Sequence, residues 1–261
     1  GVIENDKTAV NWYTKAAEQG LAKAQSNLGW MYDKGEGVLK NHKTAVNWYI
    51  KAAEQGYANA QFNLGWMYSE GEGVLKNDKT AVNWYTKAAE QGDADAQFNL
   101  GVMYSEGEGV LKNHKTAMNW YTKAAEQGDA AAQNSLGYMY YSGEGVLADY
   151  RRAYMWWNLA SYNGDEEGSD NRDKIAKEMT RADISKAQQM ASRCLESNYT
   201  DCWMIDKDAE GSGALQQLAE VEQALDSLLV DEGTSTYSPD SVQIAAAVNY
   251  MKDEIIKKWT R

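Results

Sequence analysis

The chain has 261 residues, enough for one elongated array or two compact units and for a sizeable core. Acidic side chains outnumber basic ones by 38 to 26, and the formal charge of −12 argues against nucleic acid as a partner, because phosphate-binding surfaces need clustered positive charge. No apolar run nears the roughly 18 residues of a membrane span. Residues 1–7 also lack the basic and apolar regions of a signal peptide.

A repeat of 36 residues organises most of the chain. Segments 9–44, 45–80, 81–116 and 117–152 align without gaps, and the second and third segments differ at five positions. Residues 1–8 match the end of such a unit, so the chain is expected to start inside a repeat and to lack an upstream part. A degenerate fifth unit begins at residue 153 and completes a repeat region that we assign to residues 1–163.

Each unit predicts two short helices, which we call helix A and helix B. In the second unit, Asn41 is a suitable N-cap for helix A, and Gly56 follows it where a left-handed residue is needed. The apolar stripe of helix B includes Ala60 and Leu64 and ends before Gly71. Because so small a pair cannot bury its own stripe, successive units are expected to stack into an all-α solenoid.

The run from Ala81 to Val110, with its small residues and glycines in place, resembles the Sel-1-like repeat, a relative of the tetratricopeptide repeat. The resemblance covers residues 1–202 and implies a right-handed α/α superhelix. Residues 164–202 resemble the terminal capping helices of bacterial members. The resemblance also implies a scaffold that binds a protein or peptide segment.

The two cysteines, Cys194 and Cys202, lie at the end of the capping region. In one continuous helix their α-carbons would be about 12 Å apart, too far for a disulfide. A helix that ends between them, with Asn198 in a left-handed turn, makes a small disulfide-closed loop feasible, and two reduced thiols are the alternative. Some members of the resembled family staple their helices at similar spacing. A disulfide would indicate the periplasm or the cell exterior.

The repeat pattern ends after Cys202. Residues 203–213 have the composition of a linker, and residues 214–261 predict an amphipathic helical hairpin. This hairpin is either an extra cap on the solenoid, a fused partner segment, or an element that associates chains by docking on its own or a neighbouring solenoid.

Motifs of catalysis and metal binding are weak. His42 and His114 occupy the same loop position two repeats apart, about 20 Å from each other at roughly 10 Å per layer, so they cannot form one site. The glycine-rich strings at Gly71 and Gly107 follow a helix and are interpreted as loop punctuation. Some cysteine-rich relatives have been linked to penicillin binding, but the chain has no Ser-x-x-Lys motif. We therefore expect no catalytic residue, metal or cofactor.

Helix A presents one candidate surface. A helical wheel places an asparagine of each unit opposite the buried alanines, and the resemblance places this face in the concave groove. An amide can donate to and accept from a peptide backbone. A solvated polar face is the alternative interpretation. The predicted set is Asn11, Asn47, Asn83, Asn119, Ile50, Thr86, Glu54 and Glu90. The same wheel places Trp12, Trp48, Trp84 and Trp120 near the core.

Helix B presents the second candidate surface. The positions that change between units lie opposite its apolar stripe and include both phenylalanines of the chain. Contacts with a partner, or coverage by neighbouring repeats, would explain these side chains. The predicted set is Trp30, Phe62, Trp66, Phe98, Val102, Tyr138 and Tyr141.

These patterns favour a non-enzymatic adaptor or scaffold that binds a protein or peptide segment. A structural spacer, assembled through the C-terminal hairpin, is the alternative, and removal of residues 203–261 should then lower the mass found by light scattering. A penicillin-binding or cell-wall hydrolase activity is a remote third hypothesis, which β-lactam hydrolysis that survives repurification would support.

Overall fold

A computed structural model describes residues 2–200 and 202 of the chain, with side chains from residue 5 onward. Residues 1–202 form one compact unit. The predicted linker (203–213) and hairpin (214–261) lie outside the described residues. Within these residues the structure is all-helical, and the prediction of a right-handed α-solenoid is confirmed. Its helices are α1 Val2–Glu18, α2 Ala22–Lys34, α3 His42–Glu54, α4 Ala58–Glu70, α5 Asp78–Glu90, α6 Ala94–Glu106, α7 His114–Ala125, α8 Ala130–Ser142, α9 Tyr150–Tyr162, α10 Glu166–Ile175 and α11 Arg181–Glu196.

The odd-numbered helices up to α9 are the helices A, and α2, α4, α6 and α8 are the helices B. We call the contact between a helix B and the next helix A a junction, so the first junction joins α2 to α3 and the fourth joins α8 to α9. No helix of the described part combines the length and apolarity that crossing a bilayer requires.

Helix A begins where the sequence predicts a cap. The side chain of Asn41 accepts a hydrogen bond of 3.0 Å from the backbone N–H of Thr44, and Asn77 and Asn113 repeat this contact in the next units. Each bond satisfies a backbone donor that the first turn of a helix leaves free. The caps therefore fix where α3, α5 and α7 start.

The core of each unit combines the apolar stripes of both helices. Leu64 and Ala60 of α4 are fully buried with Tyr49 and Ala52 of α3. At each junction a glycine of helix B lies directly against an aromatic ring of the next helix A. A β-carbon added at Gly65 would lie only 2.7 Å from Cδ1 of Tyr85, so no larger residue fits this approach without movement.

The end of the described unit confirms the disulfide. Helix α11 ends at Glu196, before Asn198 and Tyr199 take left-handed backbone conformations with φ of 52° and 65°. This turn reverses the chain, and Cys194 and Cys202 form a disulfide with their α-carbons 4.4 Å apart. The predicted break in the helix between the two cysteines is therefore present.

Candidate protein-binding surface

The asparagine row on the helices A is exposed. The side chains of Asn11, Asn47, Asn83 and Asn119 are all exposed to solvent, and among the described residues none of their amide groups makes a hydrogen bond. The repeat therefore displays one free amide per layer on the same helix face. Each amide offers two donor hydrogens and one acceptor oxygen to solvent or to a partner.

A tryptophan lies beside each of these asparagines. The prediction that these tryptophans belong to the core is wrong for Trp12 and holds only in part for the other three, which pack on the core clusters of the preceding units. Trp12 is 67% exposed, and Trp48, Trp84 and Trp120 are only half-buried. One side of Trp84 packs on the core of the preceding unit, and Nζ of Lys87 lies 4.0 Å above its ring centroid. Trp48 and Trp120 have the same lysine contact, at 4.1 and 4.0 Å. The helices A thus carry a row of tryptophan–lysine pairs, in cation–π geometry, next to the asparagine row.

The other predicted helix A residues border these rows. Glu54 and Glu90 are exposed at the end of their helices, and Ile50 and Thr86 are half-buried. The hydroxyl of Thr86 donates a hydrogen bond of 2.7 Å to the carbonyl of Val82 in its own helix. Thr86 therefore offers a methyl group rather than a free donor to the surface.

The predicted helix B residues fall into two groups. Trp30, Tyr138 and Tyr141 are 42%, 55% and 39% exposed, whereas Phe62, Trp66, Phe98 and Val102 are half-buried. The rings of Phe62 and Phe98 lie 5.9 and 5.8 Å from those of Tyr85 and Tyr121 in the next unit. Neighbouring repeats thus cover part of this set, and the exposed rings lie at the two ends of the repeat array.

The sequence analysis did not identify a row of exposed leucines. Leu39, Leu75 and Leu111 are each 91% exposed, and Leu147 is 77% exposed, all in the loops after the helices B. Their recurrence at a period of 36 was the available signal, but apolar residues in glycine-rich loops were interpreted as connectors. A lysine follows each of the first three leucines, so this edge of the array alternates apolar and basic groups.

A second amide row, of glutamines, lies inside the junctions. Gln61 is buried; its amide donates to the carbonyl of Ala53 at 3.1 Å, and its oxygen accepts at 2.6 Å from Gln91, the residue that follows the next helix A. Gln25, Gln97 and Gln133 make the same pair of bonds, to Gln55, Gln127 and Asn163 as the second partner. Sequence reasoning missed this row, although a glutamine recurs next to the apolar stripe of every helix B.

The buried tyrosines of the junctions have altered acidity. Desolvation raises the pKa of Tyr85 to about 12; the nearby carboxylate of Glu70 adds to this rise, and a hydrogen bond to Ser69 opposes it. Desolvation likewise raises the pKa of Tyr121 to about 12. These phenols stay neutral at physiological pH and serve as packing groups.

A titratable cluster at the first junction joins Asp33, His42 and Glu72. Nδ1 of His42 lies 2.8 Å from Oδ1 of Asp33 and 3.1 Å from Oε2 of Glu72. The ligand-type atoms of the three side chains lie within 4.8 Å of one another, and groups of these kinds bind divalent metals. Sequence reasoning separated His42 from His114 and did not foresee that two carboxylates approach one of them.

The repeats match a known protein family. A family model described as the Sel1 repeat matches residues 1–21, 22–57, 58–93, 94–129 and 130–165. From residue 22 onward, each matched segment contains a helix B and the following helix A, that is, one junction. No match was found among functionally curated proteins.

Two solved structures are similar in sequence and fold. One is a protective antigen of uropathogenic Escherichia coli strains that displays an SLR fold, with 41% identity and a TM-score of 0.69 over 77% of this chain. This chain spans 43% of that antigen's length. The other is a Sel1 repeat protein from Oxalobacter formigenes, with 34% identity and a TM-score of 0.62, over 72% of this chain and 80% of that one.

Proposed function

The chain belongs to the Sel1 repeat family, and from that premise we propose that it is a non-enzymatic scaffold that binds an extended segment of a partner protein along its helices A. Sel1 repeat proteins are in general protein-interaction scaffolds. The observation that carries the finer proposal is the exposed row of asparagine amides, one per repeat, without a hydrogen bond within the described residues.

The spacing of this row suits an extended peptide. Stacked helical layers are about 10 Å apart, and an extended chain rises about 3.3 Å per residue, so one amide would meet every third peptide residue. Each asparagine side chain can donate to a peptide carbonyl and accept from a peptide N–H. Such contacts bind the backbone and leave the sequence of the partner free to vary.

The flanking tryptophan–lysine pairs supply the second set of contacts to the bound segment. Their indole edges offer apolar contact to partner side chains, and Lys51, Lys87 and Lys123 place positive charge beside Glu54 and Glu90. A partner segment with both apolar and charged side chains fits this surface. In this proposal the exposed helix B rings of Trp30, Tyr138 and Tyr141 add selectivity through contacts outside the asparagine row.

Selection from a random peptide library tests the proposal. The disulfide-intact chain is used as bait for displayed 12-residue peptides, and the dissociation constants of the selected peptides are measured by fluorescence anisotropy. Replacing Asn47, Asn83 and Asn119 together by Ala should raise these constants tenfold or more, because each lost hydrogen bond contributes about 1 kcal/mol.

A matched control replaces Asn27, Asn63 and Asn99, which occupy one equivalent position of three helices B, by Ala. This triple variant should bind the selected peptides as the unaltered chain does. Unchanged affinity in a folded Asn47/Asn83/Asn119 variant, or an equal loss in the control, would reject the helix A assignment.

The disulfide also motivates a proposal about the compartment. Disulfides persist in oxidising environments, so we assign the protein to the periplasm or the cell exterior. Cell fractionation combined with thiol labelling tests this assignment: the protein should appear outside the cytoplasm with both cysteines blocked. Recovery in the cytoplasm with two reactive thiols would contradict it.

A further inference from the structure

The cluster at the first junction is assembled by three different segments. Asp33 is the penultimate residue of α2, His42 is the first residue of α3, and Glu72 lies in the turn after α4. Gly73 brings this turn against the start of α3, since a β-carbon there would lie 2.5 Å from the backbone carbon of His42. Its φ of 71° is also one that glycine adopts without strain. The backbone therefore holds Glu72 beside His42.

Two carboxylate oxygens converge on one imidazole nitrogen in this cluster. Nδ1 of His42 lies within hydrogen-bond distance of both Asp33 and Glu72. When protonated, Nδ1 has only one hydrogen for two anionic acceptors; when deprotonated, it offers a lone pair between them. The Asp33 side chain is only 6% exposed, so little water reaches its carboxylate. A cation between the three atoms would satisfy both anions and the nitrogen at once.

We propose that Asp33, His42 and Glu72 bind one divalent transition-metal ion, with Zn²⁺ as the ion to test. Zinc takes imidazole nitrogen and carboxylate oxygen at about 2.0–2.2 Å in tetrahedral geometry, which places neighbouring ligand atoms roughly 3.3 Å apart. The distances of 2.8 and 3.1 Å from Nδ1 are close to this value. Three protein ligands leave the fourth position to water or to a group of a bound partner.

Lys34 contacts the proposed site without being one of its ligands. Its Nζ lies 2.8 Å from Oδ2 of Asp33, so it binds the carboxylate oxygen that does not face His42. This contact orients Asp33 as outer contacts orient metal ligands in general. Its positive charge also offsets one of the two carboxylates, so the site keeps a net charge of −1 when His42 is neutral.

The other junctions provide internal comparisons, because they carry different residues at the three positions. The second junction has Ser69, Asp78 and Glu108, and the fourth has tyrosines in place of Asp33 and His42. At the third junction, His114 faces Glu144 at 3.7 Å, but Ser105 replaces the aspartate. The first junction thus unites all three groups, and the third lacks one.

Isothermal titration of the full chain with ZnCl₂ tests the proposal. The protein is untagged, treated with EDTA and desalted, and its disulfide is intact, so neither cysteine provides a thiol. The expected stoichiometry is one ion per chain. Asp33→Ser removes one of three protein ligands and should weaken binding about 100-fold or more, since the loss of a contact outside the ligand set already costs about 10–100-fold. Serine is the native residue at the equivalent positions 69 and 105, so this variant is expected to fold.

The converse variant separates ligation from a structural effect. Ser105→Asp with Glu106→Lys copies the residues 33–34 pair into the third junction, beside His114 and Glu144, and should raise the stoichiometry from one to two. Ser69→Asp with Glu70→Lys is the matched control, because the second junction has Asp78 where the others have histidine. This control should not add a site of similar affinity.

Nuclear magnetic resonance of the imidazole nitrogens identifies the ligand. The chain has two histidines, so one equivalent of Zn²⁺ should shift the signals of His42 and leave those of His114 unchanged. Absence of zinc binding by the unaltered chain, binding that survives Asp33→Ser, equal gains in the two converse variants, or shifts at both histidines would each overturn the proposal.

Discussion

The inside of the junctions and the exposed face of the helices A both carry a row of side-chain amides with a period of 36 residues. In the junctions, each buried glutamine donates to a carbonyl of helix A of its own unit and accepts from a side-chain amide of the next unit. On the helices A, the exposed asparagines make no hydrogen bond within the described residues. The comparison shows that the surroundings of an amide, rather than its chemistry, decide whether it stabilises the array or is available to a partner.

The largest expected effect comes from removing one member of the glutamine row. Gln97→Ala breaks the bonds to the carbonyl of Ala89 and the amide of Gln127, which then keep only the N–H of Gly92 and a 3.5 Å contact to the carbonyl of Lys123. The free energy of unfolding, measured by urea titration, should fall by about 2–4 kcal/mol. If it falls by no more than in Asn83→Ala, the glutamine row is not structural and the comparison fails.

The next effect concerns stability at alkaline pH, which should depend on the junctions and not on the asparagine row, because the junctions also bury tyrosines. The pKa of Tyr85 is about 12 in the folded chain against an ordinary value of 10.0. Between these pH values the phenol has lost its proton in the unfolded chain and kept it in the folded chain. The contribution of Tyr85 to the free energy of unfolding is therefore fully present below pH 10 and is lost as the pH rises towards 12.

The matching variant is Tyr85→Phe. Its stability should decline less steeply above pH 10 than that of the unaltered chain, by up to about 1.4 kcal/mol per pH unit. Urea titrations at pH 9, 10 and 11 measure both slopes. Identical slopes would show that Tyr85 titrates as a solvated phenol and that the junction is open to water.

Over-packing a junction should have a smaller net effect. In Gly65→Ala the added β-carbon meets the buried ring of Tyr85, at a cost of about 1–3 kcal/mol. The higher helix propensity of Ala offsets about 1 kcal/mol of this packing cost. We expect a net loss of roughly 1 kcal/mol in the free energy of unfolding. A gain would mean that the ring can withdraw and that the junction is more plastic than its packing indicates.

The smallest effect is expected on the asparagine row itself. Asn83→Ala should change the free energy of unfolding by less than about 0.5 kcal/mol, as is usual for surface positions. Asn77 lies at the start of the same helix and caps the backbone N–H of Thr80, so Asn77→Ala should cost about 1 kcal/mol. Equal losses in the two variants would show that Asn83 has a structural partner after all.

Much of the fold could be predicted from local patterns. The cap at Asn41, the left-handed Gly56 and the break between Cys194 and Cys202 depend on residues close together in sequence, and each is present. The candidate surface was predictable only in part. A helical wheel identifies the exposed face of Asn47, but it does not show that Trp48 is only half-buried, with the core of the preceding unit on one side of the ring and Lys51 over it.

The sequence by itself determined the repeat, the helix boundaries and the face that carries the asparagines, because caps, turns and helical periodicity act within a few residues. Tertiary structure alone decided which amides bond across a junction and that Glu72 approaches His42. These contacts join positions about one repeat apart, and the tight approach of backbones at residues such as Gly65 and Gly73 brings them into reach.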